Sequence, residues 1–252
     1  MSDIKYGSLT LSRTARYDTY AVIYCEKEAQ TVTVPSEIDG VAVTEIADNA
    51  FEECRKLLHV EFEEPSEELL ASGTVLDSIG EYAFSYCVNL VSIDIPHTVS
   101  SIGRGAFSNC RSLKLADFPT DAYVGSYAFY ECGELERVSP ISCASEGVFS
   151  ACEKLSEIEL APGIDEICED AFEDCAITEI VIPGSVRRIE QLAFRGCHNL
   201  KKVIFEDPEG WYVRIRYDES VHALDLSDAG AVASELSHMD FDDGVDFWYK
   251  SM

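Results

Sequence analysis

Seven times along this chain a Phe, preceded by a small or β-branched residue, is followed three positions later by a Cys. The pairs are Phe51/Cys54, Phe84/Cys87, Phe107/Cys110, Phe129/Cys132, Phe149/Cys152, Phe172/Cys175 and Phe194/Cys197. Cys fills only 10 of 252 positions, so its presence at every one of these sites signals an internal repeat. The Phe residues lie 33, 23, 22, 20, 23 and 22 apart, which sets a period of about 22 residues.

Aligning the copies on Phe brings out the remaining columns. Five residues earlier stand Ile46, Ile79, Ile102, Val124, Ala144, Ile167 and Ile189, and three before those stand Val43, Leu76, Val99, Asp121, Ile141, Ile164 and Val186. Six residues after Phe comes Leu57, Leu90, Leu113, Leu135, Leu155 or Leu200, and a one-residue deletion puts Ile177 in that place in the sixth copy. Alternation then takes over: residues 90–96, 155–160 and 177–183 read as short strands of period two, with Pro96 and Pro183 closing the first and third. The Ala-Phe-x-x-Cys segment reads as a compact turn of helix, with Phe and Cys on one side. A unit with one strand and one short turn cannot bury its apolar set alone. Copies must therefore stack, pairing strands in parallel and closing the Leu, Ile, Phe and Cys columns into one core. Seven strands at about 4.8 Å spacing give a body roughly 34 Å long.

The pattern Cys-x-x-Leu-x-x-Ile-x-Ile-Pro-x-x-Val-x-x-Ile-Gly-x-x-Ala-Phe, as it stands in Cys87 to Phe107, resembles the BspA-type leucine-rich repeat of bacterial proteins. The resemblance covers roughly residues 31 to 205, and residues 31–46 look like its usual lead-in. It implies an α/β repeat solenoid: a leucine-rich repeat with a parallel concave β-sheet, about seven repeats of about 22 residues, and short helical turns on the other side. It also implies protein recognition, and in some members adhesion at the cell surface. Ala116 in place of the strand Ile, the short Val138-Ser139-Pro140 and the compressed Cys143 to Gly147 are expected to disturb copies three to five.

An unbroken repeat argues for one elongated domain, with an N-terminal cap at 1–30, the array at 31–205 and a C-terminal cap at 206–252. The added residues 64–74, acidic and containing Pro65 and Gly73, read as a surface loop. At the front, Thr19 to Tyr24 and Thr31 to Val34 are expected to pair as a hairpin. At the back, Trp211, Tyr212, Trp248 and Tyr249 supply apolar plates, and Ser227-Asp228 caps a short helix running to about His238. The alternative use of the tryptophans is an aromatic carbohydrate platform.

With 19 Lys and Arg against 47 Asp and Glu, the net charge is −28, which disfavours nucleic acid and anionic membrane surfaces as partners. No run of about 20 apolar residues suits membrane insertion, and no apolar signal-peptide core follows Met1 to Tyr6. The expectation is cytoplasmic for the sequence as it stands, and secreted or cell-surface if a removed signal preceded it.

The repeat cysteines read as small buried hydrophobes with reduced thiols, and Cys168 takes a slot held elsewhere by Gly80, Gly103 and Gly125. Disulfides between neighbouring copies are the weaker reading, since an odd column cannot pair fully, and no Cys-x-x-Cys spacing suggests zinc. The five His, at 59, 97, 198, 222 and 238, form no nucleophile motif with any Cys, and no phosphate loop, Gly-x-Ser-x-Gly elbow or metal helix occurs. Neither an enzyme nor a cofactor is expected. The run Asp240 to Asp246 lacks the ligand spacing of a calcium loop and reads as a solvated acidic end.

What remains is the surface of the concave sheet, where two outward columns are expected to cross the seven copies. One reads Glu61, Asp94, Asp117, Ser139, Glu159, Val181, Ile204; its neighbour reads His59, Ser92, Leu115, Arg137, Glu157, Glu179, Lys202. Stacked carboxylates about 5 Å apart repel unless a cationic partner offsets them. The expected function is a non-enzymatic protein- or peptide-binding module using this face, with a basic partner favoured. The alternative is a structural scaffold or surface adhesion protein that assembles through its caps.

Overall fold

The structure is a computed structural model that describes residues 3–15, 18–215, 221–238 and 245–251. It is a solenoid with parallel sheets, and it carries one more ladder than the single strand per copy read from the sequence. The expected strand after the Leu position forms a parallel sheet in the order Thr31–Val34, His59–Phe62, Ser92–Asp94, Leu115–Asp117, Arg137–Val138. A second ladder runs through the Ile column five residues before Phe. There Val41–Ile46, Ser78–Ile79, Ser101–Ile102 and Tyr123–Val124 pair in parallel, with Ile46, Ile79, Ile102 and Val124 facing the core. Two-residue strands carry too little alternation to register as period two in sequence.

The Ala-Phe-x-x-Cys segments form the third side of each turn. In every copy the residues two before and two after Phe adopt left-handed backbone, from Asn49 (φ 59°) and Glu53 (φ 56°) through to Leu192 (φ 59°) and Gly196 (φ 73°). Between them the chain keeps helical i→i+3 bonds, such as Cys54 N–H to the Phe51 carbonyl at 3.0 Å. The left-handed residues swing alternate N–H groups toward the next copy, so Asn49, Phe51 and Glu53 donate to the carbonyls of Glu81, Ala83 and Ser85 at 2.9, 2.7 and 2.8 Å. The cysteines do more than fill space. Each thiol from Cys87 to Cys197 donates to the Phe carbonyl of the preceding copy, at 3.2 Å for Cys110 on Phe84 and 3.0 Å for Cys197 on Phe172. One buried carbonyl thus accepts both an N–H and an S–H, using both lone pairs.

All seven Phe rings are fully buried and stack in one file, with centroids 4.5 to 6.0 Å apart and ring planes within 19°. The file ends at Cys25, which takes the Phe place in a preceding turn: its N–H donates to Ala50 O at 2.7 Å, and Cys54 reaches its carbonyl. That turn corrects the expected front hairpin. Tyr20–Cys25 joins the Ile-column sheet beside Val41–Ile46, and Thr31–Val34 starts the other sheet, so they are two sides of one coil and do not pair with each other. Ile4–Tyr6 and Leu9–Arg13 extend the first of these antiparallel and bury Leu9 and Leu11 against the end of the core.

The segment 64–74 is more than a loop. It holds a short helix, Glu67–Ser72, capped by Ser66 Oγ on Leu69 N–H at 3.3 Å and ended by left-handed Gly73, with none of its residues buried. At the other end Val245–Lys250 pairs antiparallel with Arg188–Glu190 and with Trp211–Ile215, placing Trp248 opposite Ile189. Trp211 and Trp248 are buried, which removes them as a carbohydrate platform. Asp228 Oδ1 caps the helix Ala229–His238 on Gly230 and Ala231 N–H at 3.0 and 3.1 Å, and Val232, Ala233 and Leu236 are buried. Most of the acidic run 240–246, namely 240–244, lies outside the described residues. No described helix is long and apolar enough to cross a membrane.

Two predictions follow from the stack. Phe129 packs against Phe107, Phe118 and Phe149 at 5.2, 5.7 and 5.4 Å, so Phe129→Ala should cost about 3–5 kcal/mol in urea unfolding, and a loss under about 1 kcal/mol would show that the file does not carry the fold. Burial pushes the Cys132 thiol up to about 12, whereas an unfolded thiol titrates near 8.5. Above that pH the unfolded chain sheds a proton that the native chain holds, so stability falls as pH rises, by about 1.4 kcal/mol per pH unit for each such thiol. Unfolding midpoints from neutral to alkaline pH should decline less steeply for Cys132→Ala than for the wild type; equal slopes would contradict the assignment.

Candidate functional site

The outward residues of the Leu-following sheet lie where alternation put them. Val60, Ile93 and Ala116 are buried, and between them Glu61, Asp94 and Asp117, with His59 and Leu115, stand exposed. Asp94 and Asp117 are direct cross-strand partners, as are His59 and Ser92. Ser139 Oγ donates to Asp117 and accepts the Phe118 N–H at 3.0 Å, which ties the end of this ladder to the next copy.

The two columns do not run unbroken across seven copies. Arg137–Val138 is the last strand of this sheet, and Glu157 and Glu159 lie on no strand. The next link is a single bridge, Ile141 to Leu160. Pro140 has no N–H to extend the ladder, and pairing Ile141 with Leu160 shifts the register by one residue. A separate two-stranded ladder then aligns Glu179 with Lys202 and Val181 with Ile204. There the charges are matched, Lys202 Nζ lying 2.8 Å from Glu179 Oε1. The predicted residues therefore fall into two groups: Glu61, Asp94, Asp117 and Ser139 with His59, Ser92, Leu115 and Arg137 in one, and Glu179, Lys202, Val181 and Ile204 in the other.

Glu61, Asp94 and Asp117 of the first group border an open recess of about 510 Å³. Five carboxylates line it, from Glu61, Glu63, Glu64, Asp94 and Asp117, and no Lys or Arg does. Glu63 is engaged by the Tyr6 hydroxyl at 3.2 Å and by Ser36 N–H at 3.4 Å. Ion pairs elsewhere, such as Arg111 with Glu131 at 2.8 Å and Lys154 with Glu134 at 2.6 Å, do not extend to Glu61, Asp94 or Asp117 among the described residues. A second recess of about 390 Å³ continues along the face past Leu115 to Pro140. Glu63, Glu64, His97 and the rim prolines Pro96 and Pro119 also line the first recess, outside the two expected columns. For Glu63 and Glu64 the signal in the sequence is the acidic start of the insertion, whose direction depends on how it leaves the strand. No group of three His, Cys, Asp or Glu among the described residues is placed to hold a metal ion.

Comparison with known proteins agrees with this architecture. No curated protein matches the chain. A solved leucine rich cell surface protein from Faecalibacterium prausnitzii A2-165 superposes with a TM-score of 0.71 at 24% identity, over 90% of this chain and 60% of that one. This chain therefore spans 60% of that structure's length, less than two thirds. A leucine rich repeat protein of T. pallidum superposes with a TM-score of 0.53 at 23% identity, over 79% of this chain and 91% of that one. At such identity these likenesses speak for the fold alone. The family model for the BspA type leucine rich repeat region matches six copies over residues 22–138 and 77–201. With stacked Phe, Cys and Leu columns in the same span, the chain belongs to the BspA-type leucine-rich repeat family.

Proposed function

We propose that this chain is a non-enzymatic protein- or peptide-binding module that takes a basic partner segment on the outward face of its Leu-following sheet. In general terms, the leucine-rich repeat solenoid supports protein-interaction and surface-protein modules. In this reading the array at 31–205 carries recognition, and the ends 1–30 and 206–252 seal it. One observation carries the proposal: the recess bordered by Glu61, Asp94 and Asp117 gathers five carboxylates with no Lys or Arg among its lining residues. Neighbouring strands sit about 4.8 Å apart, so these charges repel in the free protein, and a cation bound among them removes that cost. The cell-surface description of the Faecalibacterium protein supports the same module working at a cell exterior.

The test is titration of a fluorescent Lys-rich peptide, beside its Gln-substituted twin, into the wild type and into a Glu61→Gln, Asp94→Asn, Asp117→Asn variant. At about 0.5–1 kcal/mol for each of the three exposed charges, the variant should bind about ten- to a hundredfold more weakly, and the wild-type affinity should fall with added salt. Equal binding of both peptides, or of both proteins, sinks the proposal. Sedimentation at rising concentration addresses the competing reading of a scaffold joined through its caps, which requires a mass that grows.

A further inference from the structure

A second surface, built by the turn column and not by either sheet, has a different chemistry. Tyr82, Tyr86, Tyr127 and Tyr130 border an open recess of about 660 Å³, with Arg104 among them and no Leu, Ile, Val or Met in its lining. Three of these tyrosines sit at left-handed positions: Tyr82 (φ 53°), Tyr86 (φ 58°) and Tyr127 (φ 59°). In the other copies those two positions are filled mostly by Gly, Asn or Asp, the residues that tolerate this backbone, as at Asn49, Gly105, Asn109, Gly147, Asp170 and Asp174. A bulky ring there costs conformational energy, and strain of this kind concentrates at functional surfaces.

The rings are also seated and held. Tyr82 lies against Gly105 and Tyr127 against Gly147 of the following copies, and a Cβ on either glycine would run into the ring. Arg104 Nε donates to the Tyr82 hydroxyl at 3.2 Å, and its guanidinium stands 5.1 Å from the Tyr127 ring centre. The Tyr127 hydroxyl donates to Glu146 at 2.7 Å, and Tyr130 meets the Tyr127 ring edge-on at 6.0 Å. Beside them, Asp170 Oδ1 is buried with no hydrogen-bond partner among the described residues.

Immobilised aromatic plates among polar side chains, without aliphatic lining, suit a ligand with flat C–H faces and many hydroxyls. The net charge of −28 opposes an anionic ligand. We propose that this tyrosine face is a binding site for a neutral glycan, whose sugar rings stack on Tyr82 and Tyr127 and whose hydroxyls bond to the polar side chains lining the recess.

The test uses maltohexaose, cellohexaose and chitohexaose as probes, followed by calorimetry and by saturation transfer from protein to sugar. The wild type should bind at least one of them. The Tyr82→Asn, Tyr127→Asn variant should bind it at least tenfold more weakly while its Tm holds or rises, because Asn suits the left-handed backbone better than Tyr. Neutralising Glu61, Asp94 and Asp117 should leave sugar binding unchanged. The proposal is overturned if none of the three sugars binds at millimolar concentration, or if binding survives the tyrosine substitutions. A peptide ligand lost on the same substitutions, with no sugar bound, would assign the face to a protein and overturn it equally.

Discussion

The fold depends on what passes between one turn segment and the next. Each Phe N–H crosses to the carbonyl before the following Phe, and each Cys thiol crosses back to the Phe carbonyl of the preceding copy. These groups lie in the core, where only the neighbouring copies supply their partners. Two left-handed residues per copy create that demand by turning alternate N–H groups along the stacking axis. Cys suits its place because it is small enough to sit beside the Phe file, gives up little hydration, and still donates one weak hydrogen bond.

The turn column persists where the sheets fail. Through the fifth copy, where Glu157 and Glu159 leave the ladder, Phe149 N–H still reaches Ala171 O at 3.0 Å and Cys152 still reaches Phe129 O at 3.2 Å. The sheets can therefore break without ending the solenoid, and the break confines the unpaired acidic ladder to its front half. The back half, with Glu179 beside Lys202 and the exposed Val181, presents a different surface. Contacts limited to neighbours make such local variation tolerable, since a change in one copy is felt mainly by the two beside it.

The large negative charge is unevenly used. In the recess bordered by Glu61, Asp94 and Asp117 the carboxylates gather with no Lys or Arg in its lining, Arg137 standing further along the face; on the turn face they are tied to Tyr127, Arg195 and Arg111 through Glu146, Glu173 and Glu131. The ends bury their aromatic groups, Trp211 and Trp248, and close the stack with antiparallel strands at both limits. Antiparallel pairing there covers strand edges that a parallel stack would leave open.

The amino-acid sequence by itself determined the repeat, its period, the inward columns and the outward set around Glu61, Asp94 and Asp117, because a side chain's face follows from strand alternation and from the spacing to Phe. Tertiary structure alone decided three things. It made strands of Ser78–Ile79 and Ser101–Ile102, whose extended backbone owes more to neighbouring copies than to two residues of pattern. It placed Cys25 at the end of the Phe file and made a complete turn of Tyr20–Cys25 and Thr31–Val34, since their partners lie in another coil. It also gathered the tyrosines of separate copies on one face, because the left-handed conformation that orients them is imposed by hydrogen bonds to the next copy, against the preference of Tyr itself.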